Sequence, residues 1–380
     1  MDFSLTEDQR AIQDMAENFA TAELAPHALH WDETKTFPIP TLRDAAALGL
    51  GAIYAAEEFG GTGLKRLDAV LIFEALSKAC PSVAAYISIH NMCTWMIDRY
   101  GNDEQRARYI PKLASMDYLA SYCLTEPNAG SDAGNLRTKA VRDNDDYVIT
   151  GEKQFISGAG ATDIYVVMAR TADTGPRGIS AFIIERDTPG LSFGANEKKM
   201  GWNAQPTRAV LLDNVRVPTS QLLGTLNKGF NIAMSGLDGG RLNISACSLG
   251  GAQSAFDKAV AYMNQRKAFG QRLQDFQALQ FRLAEMATNL EAVRLVLWRA
   301  ASALDAKSPD ATRLCAMAKL FVTDKCFDIA NQALQLHGGY GYLADYGIEK
   351  IVRDLRVHQI LEGTNEIMRV IIARGIFAES

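Results

Sequence analysis

The chain contains no CxxC pair, and its six cysteines (Cys80, Cys93, Cys123, Cys247, Cys315 and Cys326) fall at no metal-like spacing. None of the five histidines pairs with them in a zinc pattern, which excludes a zinc module and predicts reduced, buried thiols. No stretch approaches ~18 uninterrupted apolar residues, the length a membrane-spanning helix needs. There is no long basic run and the net charge is −5, so nucleic-acid binding has no electrostatic footing. No GxGxxG follows a strand anywhere, so a dinucleotide must be held by something other than a Rossmann turn. Internal repeats and low-complexity linkers are also absent. The chain opens without an apolar signal core or an Arg/Ser-rich transit segment, and reads as soluble. It is expected in a bacterial cytoplasm, or in the mitochondrial matrix if it is a processed eukaryotic chain.

What is present is ordinary globular material: 380 residues, 48% hydrophobic and 22% charged, enough for two or three domains of roughly 150 residues each. Leu5-Thr6-Glu7-Asp8-Gln9 offers a capping box, after which Ile12, Met15 and Phe19 recur at helical spacing. Pro38 and Pro40 precede a second helical stretch, Leu42 to Leu50. Gly60-Gly61-Thr62-Gly63 forms a loop, and helical periodicity runs from Leu67 to about Met116. Near residue 120 the character changes to short β-rich runs at 146–150, 163–168 and 179–184. Nothing between them is long enough for a crossover helix, which predicts an antiparallel sheet. After Pro218 long amphipathic runs cover 228–264, 274–305, 309–337 and 363–377. The expected division is 1–119 helical, 120–222 β and 223–380 a helical bundle.

Four constellations carry chemistry. Glu362 lies in Ile360-Leu361-Glu362-Gly363-Thr364-Asn365-Glu366. Flanked by apolar residues and a glycine, its carboxylate is poorly solvated if buried, which would raise its pKa and make it a usable base; before Gly-Thr it serves equally as a cap or turn acceptor. Tyr122-Cys123-Leu124-Thr125-Glu126-Pro127-Asn128-Ala129-Gly130-Ser131-Asp132 supplies hydroxyls and a glycine that lets backbone approach a ligand closely. Phe155, Ile156 and Ser157 end a strand and set an aromatic ring beside a hydroxyl, either for stacking on a planar ring or simply as a core phenylalanine. Arg266 closes a helix, where it suits a pyrophosphate or the helix dipole, and the turn Gln335-Leu336-His337-Gly338-Gly339 offers amides to the same group. Two look-alikes fail. Ala246-Cys247-Ser248-Leu249-Gly250 lacks the first glycine of a nucleophile elbow and lies inside a helical run, so Ser248 is read as packing. His337-Gly338-Gly339 lacks the fourth glycine of an esterase oxyanion loop.

Together the blocks 122–132 and 335–366 resemble the two signatures of the acyl-CoA dehydrogenase family, and the resemblance extends over essentially the whole chain. The segments Tyr86–Cys93, Gly201–Arg208 and Arg356–Gly363 are similar to the branch that acts on isobutyryl-CoA. The resemblance implies a mainly α fold: a helical N-terminal domain, an antiparallel β-barrel-like middle domain and a C-terminal four-helix bundle, assembled as a homotetramer. It implies FAD as cofactor, an acyl-CoA substrate, electron-transferring flavoprotein as acceptor, and Glu362 as the α-proton-abstracting base. Tyr122, Cys123, Leu124, Thr125, Gly130, Ser131 and Phe155 to Ser157 would embrace the flavin. Arg266, Phe276, Gln277 and Gln335 to Gly339 would reach the FAD of a neighbouring subunit, and Thr364, Asn365 and Glu366 would complete the site. Ser131, Asp238, Gly239, Gly240, Arg241 and Arg374 would contact the acyl-CoA. Asp238 departs from the Asn expected in the isobutyryl branch. A different short or 2-methyl-branched chain preference, or a non-catalytic flavin- or acyl-CoA-binding scaffold, are the alternatives.

Overall fold

The computed structural model describes residues 4–378; Met1, where the reading of the N-terminus begins, lies outside them. Helix α1 (Glu7–Phe19) starts at the expected capping box, with the Gln9 amide donating to Thr6 Oγ1 at 3.2 Å and the Thr6 amide to Gln9 Oε1 at 3.0 Å. After α2 (Ala28–Thr34) and α3 (Ile39–Ala47), the expected continuous stretch is three helices: α4 (Arg66–Ala79), α5 (Pro81–Tyr100) and α6 (Asp103–Ala114). Pro81, lacking an amide donor, begins α5, and Asn102 with Gln105 forms a second capping box at α6. Apolar periodicity continues across both breaks, so it alone does not register them.

Strands β1 (Ala120–Cys123), β2 (Lys139–Asp143), β3 (Asp146–Ser157), β4 (Ile164–Arg170), β5 (Ile179–Glu185), β6 (Leu191–Phe193), β7 (Thr207–Pro218) and β8 (Leu222–Leu223) form one sheet. Its order is β6-β7-β3-β2-β4-β5-β8, with β1 on β4. Most pairs are antiparallel as expected, but β1 runs parallel to β4, Ala120 opposite Ile164, and β2 meets β4 in parallel at Lys139–Arg170. The β2–β3 hairpin occupies the connection from β1 to β4, so the crossover needs no helix. Strands β4 and β5 are apolar without alternation because both faces are covered. Ile164, Val166 and Met168 pack with α5 and α6, while Tyr165, Val167 and Ala169 fill the sheet's own interior. His90 fastens α5 to the sheet: its Nε2 donates to the Leu113 carbonyl at 2.9 Å and its Nδ1 accepts the Ala120 amide at 3.1 Å.

The C-terminal part holds α7 (Gly229–Gln265), a two-strand hairpin of β9 (Lys267–Ala268) and β10 (Gln271–Arg272), α8 (Gln277–Asp305), α9 (Ala311–His337), α10 (Ile348–Arg356) and α11 (Asn365–Ala378). Helix α10 was not expected, although Ile348, Ile351, Val352 and Leu355 recur at helical spacing. Helix α7 is the central post, packed by α4, α5, α8 and α9. Small residues permit the approach: a Cβ on Gly250 would lie 2.1 Å from the Glu74 carbonyl oxygen. All six cysteines are free and buried. No helix among the described residues is long and apolar enough to cross a membrane.

Candidate active site

Glu362 occupies the short connection from α10 to α11 with φ +56°, followed by Gly363 at φ +86°. This left-handed pair turns the side chain back onto α7, where a Cβ on Gly240 would come within 2.6 Å of Glu362 Oε2. That oxygen is buried and has no hydrogen-bond partner, although the residue as a whole keeps some exposure. Burial raises the Glu362 pKa to about 7, against the opposing pull of Arg241 and Lys319.

The surroundings of the carboxylate come from five elements. On α7, Arg241 Nη1 donates to Asp238 Oδ1 at 2.7 Å and its Nε to the Glu362 carbonyl at 3.3 Å. The other Asp238 oxygen accepts from Thr312 Oγ1 at 2.7 Å, so this acid is engaged as an anchor for Arg241. Gly239 is small because Arg66 lies against it: an added Cβ would sit 2.4 Å from Arg66 Nη1. Arg66 in turn covers the Tyr54 ring at 3.6 Å. On α9, Lys319 donates to the Gly363 carbonyl at 2.8 Å and to Asn365 Oδ1 at 2.7 Å. On β1, the Tyr122 hydroxyl is buried without a partner, and burial followed by the Glu362 charge lifts its pKa well above normal. Cys93 of α5 lies close enough for Glu362 to raise its thiol pKa further, after burial.

Next to Tyr122, the loop 124–131 is clamped from beneath. Lys153 Nζ donates to Glu126 Oε1 at 2.8 Å and to the Leu124 carbonyl at 3.2 Å, while the Arg137 and Thr138 amides fill the remaining carboxylate positions. The Gln154 amide reaches the Thr125 carbonyl at 2.8 Å. A bulge between Lys153 and Ile156 then puts Phe155 at φ +59° and leaves its ring 65% exposed. Cys123 and Ile156 point into the sheet interior and offer a ligand only backbone, whereas nothing lies within 4 Å of a Cβ built on Gly130. Ser131 is exposed, and the Ser157 carbonyl is taken by Ser121 Oγ at 2.6 Å.

A third group surrounds a cavity of about 600 Å³ lined by Tyr262, Arg266, Arg282, Gln335 to Tyr340 and Leu343. Neither arginine makes an ion pair among the described residues, and a Cβ on Gly338 or Gly339 would meet nothing within 4 Å. Two unneutralised guanidiniums beside open glycine backbone fit a diphosphate. His337 is otherwise occupied, stacked on Tyr262 at 4.5 Å with its Nδ1 on the Ala333 carbonyl. Phe276 and Gln277 begin α8 beside the cavity, the Phe276 ring 6.3 Å from that of Phe269. No hydrogen bond, ion pair or ring contact among the described residues joins this cavity to Phe155 or Glu362.

Thr364 Oγ1 caps α11 by accepting the Ile367 amide at 3.3 Å, and buried Asn365 donates to Asp324 and Thr323. Glu366 and, further along the same helix, Arg374 are exposed. Sequence reasoning missed Lys319, Arg66, Arg282, Tyr262 and the Lys153–Glu126 pair. Lys319 carried a signal: Cys315, Ala316, Val322, Thr323 and Cys326, its neighbours on the same helix face, are apolar or small, an odd setting for a solvated lysine.

Three family profiles cover the chain: the N-terminal domain of acyl-CoA dehydrogenase over 6–117, the middle domain over 121–215 and the C-terminal domain over 227–377. The chain belongs to the acyl-CoA dehydrogenase family, and is thus an oxidoreductase with FAD as its cofactor. It is 55% identical to the mitochondrial isobutyryl-CoA dehydrogenase of Bos taurus, over 99% of this chain and 90% of the other. The butyryl-CoA dehydrogenase of Megasphaera elsdenii superposes with a TM-score of 0.96 at 36% identity, covering 99% of this chain and 100% of that one. The FAD complex of PigA does so with a TM-score of 0.96 at 30% identity, both chains covered in full (100%).

Proposed function

We propose that the protein dehydrogenates a short branched acyl-CoA, isobutyryl-CoA to methacrylyl-CoA, as in valine breakdown, with Glu362 as the base. The observation that carries the reading is Glu362 Oε2: a buried carboxylate oxygen with no partner, on a residue whose pKa stands at about 7. A carboxylate desolvated in this way is strongly basic toward a carbon acid, and costs folding energy that a purely structural cap would not require.

Bound FAD supplies the acceptor for the hydride leaving the β-carbon. The chain's own work is proton removal and alignment. The thioester carbonyl acidifies the α-C–H, and the Glu362 amide is assigned to its oxygen, where enolate charge develops. Glu362 takes the α-proton and the C–H electron pair becomes the new double bond. Arg241 fixes the Glu362 backbone and is itself fixed by Asp238, so the replacement of the expected Asn by Asp preserves a hydrogen-bond acceptor and adds a charge partner. Ser131, Gly239, Gly240 and Arg374 are assigned to the acyl-CoA.

Tyr122 to Thr125, Gly130, Ser131 and Phe155 to Ser157 are assigned to the flavin, with the exposed Phe155 ring as the stacking surface. Arg266, together with Arg282 and Gln335 to Gly339, is assigned to the diphosphate of a neighbouring subunit's FAD in a homotetramer, with Phe276 and Gln277 beside it. The lack of contact between this cavity and Phe155 within one chain agrees with that arrangement. Thr364, Asn365 and Glu366 complete the cofactor site, and electron-transferring flavoprotein is the assigned acceptor.

Anaerobic titration of the yellow protein with isobutyryl-, butyryl- and 2-methylbutyryl-CoA tests the reading. Bleaching at the lowest concentration by isobutyryl-CoA supports it, stronger bleaching by another chain moves the substrate, and bleaching by none overturns it. Glu362→Gln is expected to keep FAD and bind acyl-CoA while losing about 10³-fold or more in reduction rate; activity within tenfold of wild type would remove Glu362 from the role.

A further inference from the structure

Among the buried groups the mechanism leaves unused, Lys319 stands apart. It sits in the middle of α9 with its side chain out of contact with water, and no carboxylate lies within ion-pair distance of it among the described residues. Instead its ammonium grips two of the three residues that follow the base, donating to the Gly363 carbonyl at 2.8 Å and to Asn365 Oδ1 at 2.7 Å. The Asn365 amide continues to Asp324 Oδ1 at 2.6 Å and to Thr323 Oγ1 at 3.0 Å, both on the helix of Lys319. Asp324 is also held by Gln359 at 2.7 Å, from the turn just before Glu362. The connection carrying Glu362 is thus tied to α9 on both sides of the base: Gln359 reaches Asp324 before it, and one buried cation, Lys319, holds Gly363 and Asn365 after it.

We propose that Lys319 is a positioning residue for Glu362: it holds the 362–365 turn in the left-handed form that aims the carboxylate at Gly240, and its charge sets the protonation of the base. This rests on Glu362 being the base. A non-glycine residue at φ +56° is disfavoured and needs its surroundings to hold it there, which the Lys319 contact to the Gly363 carbonyl does from the next residue, beside the Arg241 contact to the Glu362 carbonyl. The electrostatics agree. Burial brings the Lys319 pKa down to about 7, with Glu362 opposing that and Arg241 adding to it. The charged and titratable groups facing the pair are Arg241 from α7, Asp324 from α9, Glu366 from α11, Tyr122 from β1, Cys93 from α5 and His358 from the turn before the base. Of these, Arg241 is already matched by Asp238, and His358 is held neutral with its pKa at about 3, by burial first and then by Lys319 itself. Of the two cations that act on the Glu362 pKa, Lys319 is the one that no carboxylate within ion-pair reach offsets among the described residues.

The test compares Lys319→Met, which removes donor and charge, with Lys319→Gln, which keeps a donor. Difference infrared spectra follow the Glu362 carboxylic-acid band, identified by its loss in Glu362→Gln, in both FAD-free and FAD-loaded protein. Both variants are expected to move its titration midpoint upward by about 1 pH unit, because a cation that favours the carboxylate is gone. Lys319→Met is expected to reduce the rate of acyl-CoA-driven bleaching roughly 30-fold while FAD and acyl-CoA affinities change less than about threefold. Lys319→Gln should recover part of that rate without restoring the midpoint. An unmoved midpoint, a rate loss that only tracks lost FAD, or failure of both variants to fold would overturn the proposal. If Glu362→Gln kept its turnover, the base assignment would fall, while the infrared result would still report on the Lys319–Glu362 relationship.

Discussion

A Cβ on Gly240 would stand 2.6 Å from Glu362 Oε2, so the position before Arg241 on α7 is a direct gauge of where the base points. The obstacle is the end of a flexible side chain, which can swing away. Gly240→Ala should therefore fold and keep FAD, yet lose about 10- to 100-fold in reductive half-reaction rate as the carboxylate is displaced. Gly250→Ala, two turns and more along the same helix, meets the Glu74 carbonyl at 2.1 Å instead. It should cost about 1–3 kcal/mol in denaturant unfolding, with the per-site rate of surviving protein unchanged.

The raised pKa of Glu362 gives two pH signatures of opposite sense. The base must be ionised, so the rate of flavin reduction should rise with pH through about 7 in the uncomplexed enzyme. Stability should do the reverse from this group. The folded pKa of about 7 lies above the ordinary 4.5, so its contribution is full below about 4.5 and is lost as pH rises through about 7. Unfolding midpoints of wild type and Glu362→Gln across that window should converge at low pH and separate toward neutrality, Gln becoming the more stable; parallel curves would count against a buried, titrating Glu362.

The Lys153–Glu126 pair is buried and supports the loop that runs to Gly130 and Ser131. Burial presses the Glu126 pKa upward, but Lys153 and the surrounding hydrogen bonds hold it below normal, which keeps Glu126 ionised; burial pulls the Lys153 pKa down, with Glu126 opposing that. Lys153→Met should cost about 3–5 kcal/mol and weaken FAD binding, because it strands a buried carboxylate. Adding Glu126→Leu should recover part of the stability but not the FAD affinity. Urea titration and equilibrium FAD binding on the same samples separate the two.

Arg266 and Arg282 line the cavity beside Gly338 and Gly339 without a carboxylate partner. If they hold a diphosphate, Arg266→Gln and Arg282→Gln should each weaken FAD binding by about tenfold or more and flatten its dependence on salt. Unchanged affinity in both would empty this cavity of its assigned role.

Much of the architecture could be read directly from the chain. Thr6 with Gln9 marked the first helix, and the long amphipathic runs marked α7, α8, α9 and α11 to within a few residues. Those signals are local: a cap needs two side chains three residues apart, and a periodic face needs only one helix. The breaks at Pro81 and Asn102 and the parallel pairing of β1 with β4 were not read, because apolar pattern is blind to direction and to a hairpin standing in for a crossover.

The candidate site divides along the same line. Glu362, Tyr122, Phe155 and Arg266 could be singled out from sequence, since a carboxylate before glycine or a basic helix end is a pattern along the chain. Two of the segments that marked the resemblance turn out to touch, Trp202 Nε1 donating to His358 Nε2 at 3.1 Å, while Ser248, buried inside α7, bonds the other ring nitrogen at 2.7 Å. What sequence by itself determined was which helices and strands form and which chemical groups are available. Only the tertiary structure decided that Glu362 Oε2 is left without a partner, that Asp238 serves Arg241, and that Lys319 grips the turn of the base. Desolvation and charge pairing depend on what five separate elements bring to one point, and no stretch of chain contains that information.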